Sequence, residues 1–99
     1  MLGGTGNDFF LAGTANETLS GGGGYNDYIF LSGTATRVDT VTDFNPAKDV
    51  IGLFGYGTSA DAAALASATT ANGSTTVTLT DGTTIVLPGV THLTSVNFF

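Results

Sequence analysis

Oxygen-bearing side chains recur at a fixed step near the start of this chain. Nine residues separate Asp8 from Glu17, and nine more separate Glu17 from Asn26. Glycine keeps the same step, with Gly4, Gly13 and Gly22 in one column and Gly6, Ala15 and Gly24 in another. A large apolar residue follows two positions after each oxygen, as Phe10, Leu19 and Tyr28. Side-chain oxygens beside glycine turns, whose carbonyls nothing obstructs, describe a site for a hard cation. Such an ion takes six to eight oxygens, and two facing turns that each lend two carbonyls and one side chain fill that shell. Zinc would require His or Cys; the chain has no cysteine, and its single His92 lies far from the array. Magnesium needs a rigid octahedron that glycine turns do not impose. Calcium is the ion this pattern selects.

For those oxygens to meet, the chain must coil. A short period with glycine, a polar oxygen and an apolar residue at fixed offsets is the mark of a solenoid. Each unit reads as a six-residue turn followed by a three-residue strand, at Phe9 to Leu11, Thr18 to Ser20 and Asp27 to Ile29. Alternation within each strand turns Phe10, Leu19 and Tyr28 inward. With one turn and one strand per unit, successive turns fall on opposite edges. Turn one (Gly3 to Asp8) then stacks on turn three (Gly21 to Asn26), and turn two (Gly13 to Glu17) stacks on the loop that ends near Asp39. Met1 falls in the inward column of a preceding unit, as the tail of a longer array would have it, although a start codon would equally place a methionine there.

The second half has a different pattern. Residues 38–42 alternate, a turn follows at Asn45-Pro46, and residues 49–53 read as a strand with Ile51 and Leu53 on one face. Thr58 to Asp61 resembles a helix start leading into an alanine-rich helix to about Ala68, which Asn72-Gly73 ends. Residues 75–80, an Asp81-Gly82 turn and residues 83–87 predict a hairpin with Val77, Leu79, Ile85 and Leu87 on the core side.

Composition narrows the function. The chain has 99 residues, enough for one modest domain. Nine of its fifteen glycines fall within residues 1–33, and eighteen threonines favour strands and turns over a helical bundle. Net charge is −6, with six of the eight acids before residue 50 and only Arg37 and Lys48 to oppose them. Such a balance attracts cations. It offers no basic patch for a nucleic acid. No N-terminal signal pattern and no apolar run of membrane-spanning length is present.

Gly3-Gly4-Thr5-Gly6-Asn7-Asp8-Phe9-Phe10-Leu11 matches every fixed position of the GGxGxDxUx nonapeptide of the RTX (repeats-in-toxin) family. Residues 21–30 are similar to the last repeat of such arrays, residues 39–53 to the segment that follows them in serralysin-like proteases and other type I exoproteins, and residues 89–99 to their uncleaved type I secretion signal. The resemblance implies an all-β fold: a short parallel β-roll over residues 1–37, capped over residues 38–99 by a C-terminal antiparallel β module with one short helix, all in a single domain. It implies Ca²⁺ bound between stacked turns, with Gly4, Gly6 and Asp8 facing Gly22, Gly24 and Asn26, and with Glu17 paired to Asp39. It also implies a secreted, extracellular protein, with the type I secretion machinery and an upstream catalytic or adhesive domain as partners. The departures matter. Glu17 is one methylene longer than the usual Asp, Ala15 replaces a glycine, and Asn26 stands where a carboxylate is expected, with Asp27 beside it as a substitute if the register slips. Each loss weakens a site, so the expected dissociation constant is roughly 10⁻⁴ to 10⁻³ M.

Other polar residues have plainer explanations. Asp43 and Asp49 read as caps of a turn and a strand end, Asp61 as a helix N-terminal acid, and Asp81 as a hairpin residue. Phe9, Tyr25 and Tyr56 read as packing aromatics; as a sugar platform they would instead make the chain a carbohydrate-binding module that recognises a polysaccharide. Catalysis finds no support: His92 lacks a nucleophile context, and the Gly52 to Gly57 stretch lacks the spacing and downstream acid of a dinucleotide site.

Overall fold

The structure, a computed structural model, describes residues 3–4, 6–12, 16–31, 37–56, 60–80, 82–94 and 97–98. Among these run β1 (Phe9–Ala12), β2 (Glu17–Leu19), β3 (Asp27–Leu31), β4 (Val38–Val41), β5 (Val50–Phe54), α1 (Ala60–Ser67), β6 (Thr69–Ala71), β7 (Ser74–Thr78) and β8 (Thr84–Pro88). The chain is mostly β with one short helix and two sheets. Met1, Gly13, Ala15, the Thr58 helix start, Asp81 and residues 95, 96 and 99 of the expected signal lie outside the described residues.

The first five strands alternate between the two sheets. One sheet has the order β1-β3-β5, all parallel, and the other the order β2-β4-β8-β7-β6. In the second sheet β2, β4 and β8 are parallel, and β7 and β6 add antiparallel. Each return to a parallel neighbour among the first five strands therefore passes through a strand of the opposite sheet. Phe10 pairs with Tyr28, as the nine-residue columns expect, and Tyr28 with Ile51, while Glu17 pairs with Asp39 and Leu19 with Val41.

The core lies between the sheets. Phe10, Leu19, Tyr28, Phe30, Val41 and Ile51 come from successive strands, and Val77, Ile85 and Leu87 from the β7–β8 hairpin. The Phe10 ring stacks on Tyr28 at 5.1 Å, and Phe44 packs tilted on the same tyrosine at 5.9 Å. Such pairs add about 1 kcal/mol each beyond the area they bury. The helix brings only Ala60 and Ala64 into the interior, and small side chains let it sit close over β7. At the end of the chain Phe98 is buried and bridges to Ile51, while Asn97 Nδ2 donates to the Pro46 carbonyl at 2.7 Å.

Two local differences from the sequence expectation have clear causes. The helix ends at Ser67, whose hydroxyl donates to the Ala64 carbonyl at 2.7 Å and competes with the next helical turn. Thr69 and Thr70, better suited to a strand, then form the additional strand β6. Asn72-Gly73 is consequently a hairpin turn between β6 and β7, with φ of 54° and 77°, the two positive values a tight hairpin demands. No helix among the described residues is long and apolar enough to cross a membrane.

Candidate metal centre

Turn one stacks on turn three. Gly3 N–H donates to Ser20 O at 2.7 Å and Asp27 N–H donates to Asp8 O at 2.9 Å, closing the rungs against each other. Gly22 and Gly24 hold φ of 74° and 81°, values an L side chain resists. The approach is also too close for any side chain. A methyl on Gly24 would lie 2.5 Å from the Gly6 carbonyl oxygen, and one on Gly22 would overlap the Gly4 carbonyl oxygen. The carbonyls of Gly4 and Gly6 thus abut the glycines of the facing turn.

Asp8 sits half-buried at the end of turn one, and its Oδ2 accepts the Gly4 N–H at 3.0 Å. Asn26 is fully buried; its Oδ1 accepts the Asp8 N–H at 3.0 Å, and its Nδ2 donates to Gly23 O at 3.4 Å. Asp27 is half-buried in β3, in register with Phe9. Gly4, Gly6, Asp8, Gly22, Gly24 and Asn26 therefore come together.

The opposite edge brings together Glu17 and Asp39, which face each other across β2 and β4. Asp39 is completely buried. Its Oδ1 accepts the Glu17 N–H at 3.1 Å, and its Oδ2 takes Arg37 Nε at 2.9 Å. Burial pushes the Asp39 carboxyl up, against the downward pull of the Arg37 guanidinium and the Glu17 N–H, with the Glu17 charge adding to the rise.

Sequence reasoning missed a set of ties between rungs. Asn7 Oδ1 accepts the Tyr25 N–H and Asn16 Oδ1 the Val38 N–H, both at 2.8 Å. Their own nine-residue spacing, one position ahead of Asp8 and Glu17, was the available signal. Asp49 continues the Asp8–Asn26 column: Oδ1 accepts the Asn26 N–H at 3.0 Å and Oδ2 the Asn45 N–H at 2.8 Å. Asp43 caps turn three, accepting Gly21 N–H at 2.9 Å, Gly22 N–H at 2.8 Å and the Ser20 hydroxyl at 3.0 Å. Burial alone would raise the Asp43 carboxyl, but the Gly22 and Gly21 N–H groups and the Ser20 hydroxyl outweigh it and hold it below the usual range. Beneath this turn, burial and then the charges of Asp49 and Asp43 push the Tyr28 hydroxyl above the ordinary phenol range.

The two edges differ as hosts for a hard cation. The first offers glycine carbonyls packed against the facing turn, with the Asp8 carboxylate at the end of the same turn, and carbonyl and carboxylate oxygens are the ligand types calcium takes. Among the described residues no three His, Cys, Asp or Glu side chains converge, so main-chain oxygens would carry most of the shell. The second edge already has a cation, Arg37, on its buried carboxylate.

No protein-family model matches this chain, and no curated protein matches it either. Among solved structures it is similar to the solution structure of the AlgE6R3 subunit from the Azotobacter vinelandii mannuronan C5-epimerase. That likeness covers 97% of this chain and 80% of the other, at 18% identity and a TM-score of 0.40. A likeness of that size does not bear on function.

Proposed function

We propose that this chain is a calcium-binding module of RTX type, whose alternating parallel strands are the coils of a short β-roll. In this account it folds when calcium is abundant outside the cell and carries, at residues 89–99, the type I secretion signal of a larger exoprotein. The observation that carries the proposal is the main-chain stacking of turn one on turn three, with the Gly4 and Gly6 carbonyls against Gly22 and Gly24. Those carbonyls and the Asp8 carboxylate would hold the ion, which supplies charge compensation and a cross-link between rungs. Asn26, by accepting the Asp8 N–H, positions that carboxylate.

The remaining acids explain the coupling to folding. With a net charge of −6, the ion-free chain resists compaction, and a ligand that binds the folded state alone shifts the balance. At about 1 mM calcium and a dissociation constant near 0.1 mM, one site adds about 1.4 kcal/mol, a large share of a marginal stability. Far-ultraviolet circular dichroism in chelator and in millimolar calcium tests this. A calcium-driven gain of β signal, lost in Asp8→Ala, is expected; an identical spectrum and melting point in both conditions would overturn it.

A further inference from the structure

We infer that Arg37 is a built-in cation standing where the second edge would otherwise require a metal, so that the Glu17–Asp39 edge folds without calcium. The inference rests on the proposed calcium site for its contrast between edges, but its own observation is separate.

The two edges share one design. Asp8 with Asn26 on one side and Glu17 with Asp39 on the other are both rung pairs in which the later side chain accepts the earlier N–H. What differs is the counter-charge. Among the described residues Asp8 makes no ion pair, whereas Asp39 holds Arg37 Nε at 2.9 Å with both side chains almost wholly removed from solvent. A buried carboxylate is tolerated only when paired and hydrogen-bonded, and both Asp39 oxygens are engaged, one by Glu17 N–H and one by Arg37.

Arg37 is itself fixed. Its carbonyl accepts the Thr84 N–H at 2.9 Å, which ties it to β8. A second guanidinium nitrogen, Nη2, lies 3.5 Å from the Leu31 carbonyl. A guanidinium gives up hydration more readily than an ammonium. A divalent ion entering this edge would have to displace a positive charge already on its chief ligand. Asp39, which the family resemblance paired with Glu17 in a second calcium site, therefore serves an internal ion pair instead, with the Glu17 N–H on its other oxygen. Arg37 sits two residues before Asp39 in sequence, immediately ahead of β4, so one short stretch of chain supplies both the acid and its counter-ion.

The test uses the whole chain with calcium as the only added ligand. Wild type, Arg37→Gln, Arg37→Lys and the double variant Arg37→Gln/Asp39→Asn are melted in chelator and in millimolar calcium, and calcium stoichiometry is measured by titration calorimetry. Arg37→Gln should melt lower than wild type in chelator, recover part of that loss in calcium, and bind an additional ion. The double variant, relieved of the unpaired carboxylate, should melt above Arg37→Gln in chelator and show no added calcium response. If Arg37→Gln fails to fold in chelator, folding of the double variant under the same conditions supports the inference, because charge and not packing was then the defect. The inference is overturned if Arg37→Gln gains no calcium response beyond wild type, or if the double variant is no more stable than the single one. It is likewise overturned if calcium shifts the NMR signals of Glu17 and Asp39 in the wild type while Arg37→Lys leaves that response intact. A wild type with no calcium response would sink the proposed function alone, since an ion gained by Arg37→Gln would still identify Arg37 as its replacement.

Discussion

Replacing Gly24 by alanine, set beside the same change at Gly73, isolates the close approach of the two turns. Both glycines hold nearly the same left-handed conformation, φ 81° and 77°. Each alanine therefore carries a similar backbone penalty, about 1 kcal/mol, and a similar entropic gain from stiffening the unfolded chain. Around Gly73 nothing lies within 4 Å of the added methyl. At Gly24 the methyl would sit 2.5 Å from the Gly6 carbonyl oxygen and 2.7 Å from its carbon. Ordinary contact begins near about 3.5 Å, so turns one and three must separate by about 1 Å. That movement stretches the Asn7–Tyr25 and Asn26–Asp8 hydrogen bonds, at 2.8 and 3.0 Å, which contribute about 1 kcal/mol each. Gly24→Ala should thus cost about 3 kcal/mol and Gly73→Ala about 1 kcal/mol. Urea denaturation in chelator measures both, and a calcium titration should show Gly73→Ala responding as wild type while Gly24→Ala responds weakly. Equal costs, within about 0.5 kcal/mol, would refute the main-chain contact between these turns.

Three further outcomes are expected. Phe98→Ala should destabilise by about 3 kcal/mol, since a buried ring that bridges to Ile51 is lost; denaturant unfolding showing no loss would mean the C-terminal residues do not pack. Asp43→Asn should remove an acid-sensitive contribution. Its carboxyl is depressed in the fold, so its stabilisation is complete above the unfolded value near about 4 and fades as pH falls below it; a variant with an unchanged acid limb would contradict the capping role. Asp39→Asn should act in the opposite sense, because the Asp39 carboxyl is raised in the fold: the folded state takes up that proton first, so its share of stability grows as pH falls toward the unfolded value. Melting curves across the acid range that moved both variants alike would exclude the opposed environments described for these acids.

The strands of the first half were readable because their period is short and its columns are chemically uniform. Phe10, Leu19 and Tyr28 recur every nine residues and are buried, and Glu17 faces Asp39 as the alternating turns required. The β7–β8 hairpin was likewise visible from Val77, Ile85 and Leu87. What escaped was local competition and polar partnership. Strand β6 was hidden behind an alanine-rich helix because Asn72-Gly73 terminates a helix as well as it turns a hairpin. The roles of Asn7, Asn16 and Asp49 depend on which N–H groups stand opposite, and that emerges only from stacking rungs 18 to 23 residues apart. The Arg37–Asp39 pair was missed for another reason: one of only two basic residues in an acidic chain reads as surface charge until its burial is known.

The central claim is that a hard cation binds among the oxygens of two stacked turns, and residue-resolved NMR during a calcium titration tests it most directly. The account predicts that carbonyl and amide signals of Gly4, Gly6, Asp8, Gly22 and Gly24 move together and saturate in the submillimolar to millimolar range, with Glu17 and Asp39 unmoved. Signals of both turns that stay fixed through excess calcium would contradict it.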